Sequence, residues 1–138
     1  MPDSTEAIGA SMQLRLDVLA PAFSVCKLDA AGTVPAALLE RTYCFVSRTP
    51  DELSIVCETA AVPADAIARE DGWRALKVAR PLDFGLVGIL AKICSELAAS
   101  KVPVFAVSTY DTDYVLAKAE NLDTAIHALE NAGFLVSR

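Results

Sequence analysis

The feature that most restricts what this chain can fold into is a weak internal repeat. Slid against itself by about 61 residues, the stretch Val46-Ser47-Arg48-Thr49-Pro50-Asp51-Glu52-Leu53-Ser54-Ile55 falls on Val107-Ser108-Thr109-Tyr110-Asp111-Thr112-Asp113-Tyr114-Val115-Leu116. A strand, a serine, a short acidic turn and a second strand coincide, and upstream Phe23-Ser24-Val25 falls on Phe84-Gly85-Leu86. Two copies of one unit explain this most economically, and 138 residues hold two small units and little else. The expected division is a loose N-terminus over 1–12, a degenerate unit over 13–71 and a complete unit over 72–138.

Hydrophobic spacing gives the units their elements. Leu86, Ile89, Leu90, Ile93 and Leu97 form one apolar stripe on a helix expected near 84–99, with Asp83 placed to cap its start. Leu122, Ala125, Ile126 and Leu129 do the same for 122–132, opened by Asn121 and closed by Gly133. Strands are expected at Leu14–Leu19, Phe23–Leu28, Tyr43–Thr49, Leu53–Glu58, Trp73–Ala79, Val104–Ser108, Tyr114–Lys118 and Phe134–Val136. The second copy therefore reads βαββαβ, the ferredoxin-like order, and the chain is expected to be α+β with two such units in tandem. The first copy is degenerate: its helix positions hold only Pro35–Glu40 and Pro63–Glu70.

Composition removes whole classes of function. With 54% hydrophobic and 22% charged residues the chain is globular rather than disordered. Twelve basic against 18 acidic groups give a net charge of -6, and neither half is basic, so a nucleic-acid backbone would be repelled. Uncharged runs such as Val18–Cys26 fall well short of the roughly 20 apolar residues of a membrane helix, and the start, Met1-Pro2-Asp3-Ser4-Thr5-Glu6, is acidic where a signal peptide is basic. A cytoplasmic protein without nucleic-acid or membrane partners is expected. Cys26, Cys44, Cys57 and Cys94 contain no Cys-x-x-Cys pair and share the chain with one histidine. They are expected to be buried free thiols, with no metal site and no cofactor.

The stretch Val104–Leu116, preceded by Pro81-Leu82-Asp83-Phe84-Gly85-Leu86-Val87-Gly88-Ile89, resembles the tandem ACT-domain proteins related to the CASTOR-type arginine sensors and to the regulatory lobe of aspartate kinases. The resemblance covers about 72–133 and, through Arg48-Thr49-Pro50-Asp51-Glu52-Leu53-Ser54, extends more faintly over 14–58. It implies two ACT units in tandem, the first degenerate, and a small-molecule sensor, usually of amino acids, that works as a dimer. It further implies a pocket made by the loop and first turn at Leu82–Ile89, the turn at Thr109–Asp113, and backbone at Pro103 and Val104 of a neighbouring unit. Acidic residues that help to hold a guanidinium in those sensors correspond here to Gly85 and Leu86. An unpaired buried guanidinium would cost several kcal/mol, so a smaller or apolar amino acid, bordered by Leu86, Val87 and Ile89, is expected instead.

The residues themselves carry compatible chemistry. Gly85 and Gly88 either leave backbone N–H groups open to a carboxylate at a helix start or merely let the helix lie close to the sheet. Asp113 opens a strand and either pairs a ligand ammonium or bonds turn amides; Asp111 is the expected turn former, and Thr109 and Tyr110 add a hydroxyl and an amphipathic ring. The candidate ligand-binding set is therefore Asp83, Phe84, Gly85, Leu86, Val87, Ile89, Pro103, Val104, Thr109, Tyr110 and Asp113. Arg48 is expected where Thr109 sits in the other copy, filling the equivalent cavity. Catalysis finds no support: His127 lies on a polar helix face beside Asp123, Asp51 and Glu52 form an exposed turn, Trp73 packs in the core, and neither a nucleophile elbow nor a phosphate loop occurs. The sequence thus predicts a non-catalytic amino-acid sensor that forms a homodimer. The alternative is a dimerisation or protein-docking module with a vestigial site.

Overall fold

The computed structural model describes residues 14–79 and 88–138. The chain divides into two compact units: an inserted unit, Pro21–Trp73, and a flanking unit that joins the chain up to Ala20 with Arg74–Arg138. The boundaries of these units fall at Ala20/Pro21 and Trp73/Arg74, against an expected change of unit at 71/72.

In the inserted unit the last residues of β1 (Arg15–Leu28) pair antiparallel with β3 (Leu53–Glu58), from Phe23↔Glu58 to Leu28↔Leu53. β3 pairs in turn with β2 (Cys44–Arg48), from Cys44↔Cys57 to Arg48↔Leu53. The strand order is β2-β3-β1, followed by the first residues of β4 (Ala68–Val78). The core alternates along the strands, with Cys26 and Leu28, Leu53, Ile55 and Cys57, and Leu38 from a one-turn helix α1 (Ala36–Leu39). Pro63–Glu70 does not become a helix. A 3-10 turn at Thr59–Ala61 and a turn in which the Ala66 N–H donates to the Pro63 carbonyl replace it, and the Ile67 N–H is committed to the Lys27 carbonyl at 2.9 Å.

In the flanking unit β7 (Leu135–Ser137) runs parallel to the first residues of β1, and the order continues from β1 through β4 and β6 (Asp113–Lys118) to β5 (Val104–Ser108). Helices α2 (Ile89–Ala99) and α3 (Leu122–Asn131) bury Ile89, Ile93 and Leu97 and Leu122, Ala125, Ile126 and Leu129 against Leu16, Leu76, Val78, Val115 and Ala117. Both helices stop in the same way. The Val102 N–H reaches the Leu97 carbonyl and that of Phe134 reaches Leu129, with Lys101 (φ 60°) and Gly133 (φ 100°) in the left-handed position between. The start of α2 differs from expectation. Gly88, at φ 85°, is the N-cap, so the helix opens at Ile89 rather than near residue 84; Asp83, the expected cap, lies outside the described residues.

The hairpins of the two units match at an offset of 60 rather than 61: Cys44 corresponds to Val104, Arg48 to Ser108, Leu53 to Asp113, and the 3-10 turn Thr59–Ala61 to Ala119–Asn121. At this offset Phe45 meets Phe105, Thr49 meets Thr109 and Asp51 meets Asp111.

Candidate functional site

The hairpin Ser108–Asp113 is built around two threonines. The Thr109 N–H and hydroxyl both donate to the Thr112 carbonyl, at 2.8 and 3.0 Å, which closes the turn. The Thr112 hydroxyl, 4% exposed, donates to the carbonyl of Val78 at 2.7 Å and ties the turn to the end of β4. Sequence reasoning missed Thr112, and no local signal marks it, since its counterpart in the repeat is the exposed Glu52.

Asp113 opens β6 half-buried. Strand alternation puts it on the same face as Val115 and Ala117, both fully buried beneath the helices. Its charge is felt on α2: the Cys94 thiol is pushed up first by burial and then by the Asp113 carboxylate. Asp113 therefore faces the helix layer. Among the described residues no side chain caps the helix start, and its first intrahelical bond runs from the Lys92 N–H to the Gly88 carbonyl.

Other predicted site residues lie elsewhere. Asp83, Phe84, Gly85, Leu86 and Val87 are outside the described residues. Ile89 is 8% exposed and packs into the core, so its side chain does not border an open site; what it offers is its N–H at the helix start. Val104 is half-buried against the same core and Pro103 is exposed. The Thr109 hydroxyl is spent on its own turn, and the Tyr110 ring, 89% exposed, stands in solvent. Arg48, the counterpart of Ser108, is exposed and donates to the carbonyls of Ala30 and Gly32 at 2.9 and 2.8 Å rather than occupying the place of Thr109. His127 is exposed as expected, while Asp123 pairs with Arg138 at 2.9 Å. Trp73 is buried.

All four cysteines are free, Cys26 and Cys57 buried, Cys44 and Cys94 half-buried. Burial, the neighbouring Cys26 and Cys44, and a hydrogen bond with Cys26 push Cys57 up to about 12. Among the described residues no group of side chains is arranged to hold a metal ion, and no helix is long and apolar enough to cross a membrane.

An ACT-domain family profile matches residues 68–131, and a separate N-terminal-domain profile matches 21–65. The human cytosolic arginine sensor for mTORC1 subunit 1 is 26% identical over 136 residues, and this chain spans 40% of its length. The crystal structure of an Agrobacterium tumefaciens protein is 31% identical, covers 90% of this chain and 92% of its own, and superposes with a TM-score of 0.83. The chain carries an ACT domain over residues 68–131. The ligand-free regulatory subunit of aspartate kinase from Thermus thermophilus shares the fold at 11% identity, with a TM-score of 0.60 over 85% of this chain and 96% of its own. The ACT match begins on β4 and ends on α3, so it contains the Thr109–Asp113 hairpin and the start of α2.

Proposed function

We propose that this ACT-domain protein is a non-catalytic regulatory sensor whose flanking unit binds a free amino acid. The carboxylate docks at the helix start near Phe84–Gly88, and the ammonium pairs with Asp113. One observation carries this reading: Asp113 is half-buried on the strand face shared with Val115 and Ala117, which pack against the helices. Amides with no helical acceptor and a carboxylate on the adjoining strand suit the two ends of a zwitterion. Backbone at Pro103 and Val104 of a second copy would complete the pocket, since β5 is the last strand in the order and offers an edge. In this reading the protein is a cytoplasmic homodimer, and its two units are ACT-like copies in tandem, supported by hairpins that repeat at one offset. Gly85 and Leu86 favour a small or apolar amino acid over the arginine that the human relative's name specifies.

A thermal-shift panel of the twenty amino acids tests it. A ligand at 100 times its Kd adds about 2.7 kcal/mol, a shift of roughly 8 °C for a domain of this size. Asp113→Asn should keep the unliganded melting temperature and lose that shift; a panel in which no amino acid moves the wild type would end the sensor reading. The second reading, a docking or dimerisation module, draws on Tyr110, whose ring stands in solvent beside the β5 edge. It predicts self-association or partner capture lost in Tyr110→Ser, with no response to amino acids.

A further inference from the structure

We propose that Cys44 and Cys57 are a redox-active pair that closes to a disulfide across the β2–β3 hairpin. The register sets the two residues directly opposite each other on antiparallel strands. At the closed end of the same hairpin the Thr49 N–H donates to the Glu52 carbonyl at 2.9 Å, which makes Thr49 and Glu52 a hydrogen-bonded pair. Hydrogen-bonded and non-hydrogen-bonded pairs alternate along an antiparallel ladder. Arg48 with Leu53, Val46 with Ile55 and Cys44 with Cys57 are therefore non-hydrogen-bonded pairs. In such pairs the Cα atoms are ~4.5 Å apart and the side chains at their closest, within the ~4.4–6.8 Å that a disulfide bridges.

Cys26 is the competing partner, because its thiol hydrogen-bonds with Cys57. In the ladder, however, Cys57 stands opposite Ser24 and Cys26 opposite Ile55. That diagonal relation separates the residues by ~7–8 Å, a gap two thiols span by a hydrogen bond but a disulfide does not span without moving the backbone. The counterpart positions in the flanking unit hold Val104 and Ala117, so the link is possible in one hairpin of the repeat and not in the other.

The oxidant is a small disulfide such as oxidised glutathione. Half-buried Cys44, on the last strand of the order, is the accessible thiol. Its thiolate attacks one glutathione sulfur, giving a mixed disulfide and one glutathione thiolate. The Cys57 thiolate then attacks the Cys44 sulfur, forms the cross-strand bond and expels the second glutathione. Two protein thiols are oxidised, one glutathione disulfide is reduced to two thiols, and the cysteine protons leave to solvent. Because burial keeps Cys57 protonated at neutral pH, the second step is slow there and accelerates as pH rises.

The test is to equilibrate the native full-length chain in glutathione buffers of graded potential, trap the thiols, and map disulfides by mass spectrometry. The expected product has lost two hydrogens and carries a Cys44–Cys57 link, which Cys44→Ser and Cys57→Ser abolish and Cys26→Ser and Cys94→Ser retain. Closure should quicken as pH rises, because both steps need a thiolate. Any of three results overturns the proposal: a folded wild type that stays reduced across the series, a link between Cys26 and Cys57, or arrest at the mixed disulfide on Cys44. None of these bears on amino-acid binding, which is read by the thermal panel on the reduced protein.

Discussion

The hairpins β2–β3 and β5–β6 have the same register, the same turn closure and the same offset throughout, yet they hold opposite chemistry at matching places. Leu53 is fully buried in the core of the inserted unit, while Asp113, its counterpart, brings a half-buried carboxylate to the helix-covered face of the flanking unit. Arg48 clamps two loop carbonyls where Ser108 stands exposed. Glu52 stays in water where Thr112 is buried and hydrogen-bonded. One backbone frame thus serves packing in one unit and presents a charge in the other. The frame tolerates this because strand geometry fixes where a side chain points, not what it is.

The largest effect in this comparison is expected from exchanging the key residues. Leu53→Asp buries a carboxylate without a partner and should cost roughly 4 kcal/mol or more, enough to unfold the inserted unit in urea melts. Asp113→Leu should cost no more than about 1 kcal/mol and leave circular dichroism unchanged. If both changes were equally tolerated, the two positions would not differ in burial as described. Next in size is Thr112→Val, which keeps the shape but strips the Val78 carbonyl of its donor. It should lower stability by about 1–3 kcal/mol, whereas Glu52→Ala stays within about 0.5 kcal/mol. The smallest is Arg48→Ala, expected at about 0.5–1 kcal/mol because its two bonds to carbonyls are solvent-exposed. Hydrogen exchange in the Ala30–Gly32 loop would show faster opening, and Ser108→Ala would show none.

Much of this was legible in the sequence, for reasons that can be located. Both long helices announce themselves by apolar residues at spacings of three and four, and Gly133 marks the end of α3 because only the left-handed position there demands it. The start of α2 was not legible: Gly85 and Gly88 look alike in sequence, and only backbone geometry shows Gly88 as the cap. Ala20-Pro21-Ala22 reads as a break between two strands, yet β1 runs through it. Pro21 lies in the interval between the pairing with β7, which ends at Asp17, and the pairing with β3, which begins at Phe23, so it interrupts neither of those two ladders. The offset was misread by one residue because Val-Ser matched at 61, outweighing Phe45 with Phe105 and Thr49 with Thr109. Within the candidate site, the facing of Asp113 follows from alternation with Val115 and Ala117. That Tyr110 would stand in solvent, and that the Thr109 hydroxyl would be consumed locally, depends on turn geometry that residue types do not encode.

Pairing of Arg15–Asp17 with Leu135–Ser137 joins stretches more than a hundred positions apart, with the whole inserted unit in between. The first residues of β1 therefore keep one side unsatisfied until Leu135–Ser137 is in place to pair with them. Contacts this far apart in sequence make the flanking unit, which carries the proposed ligand site, the slower of the two to fold.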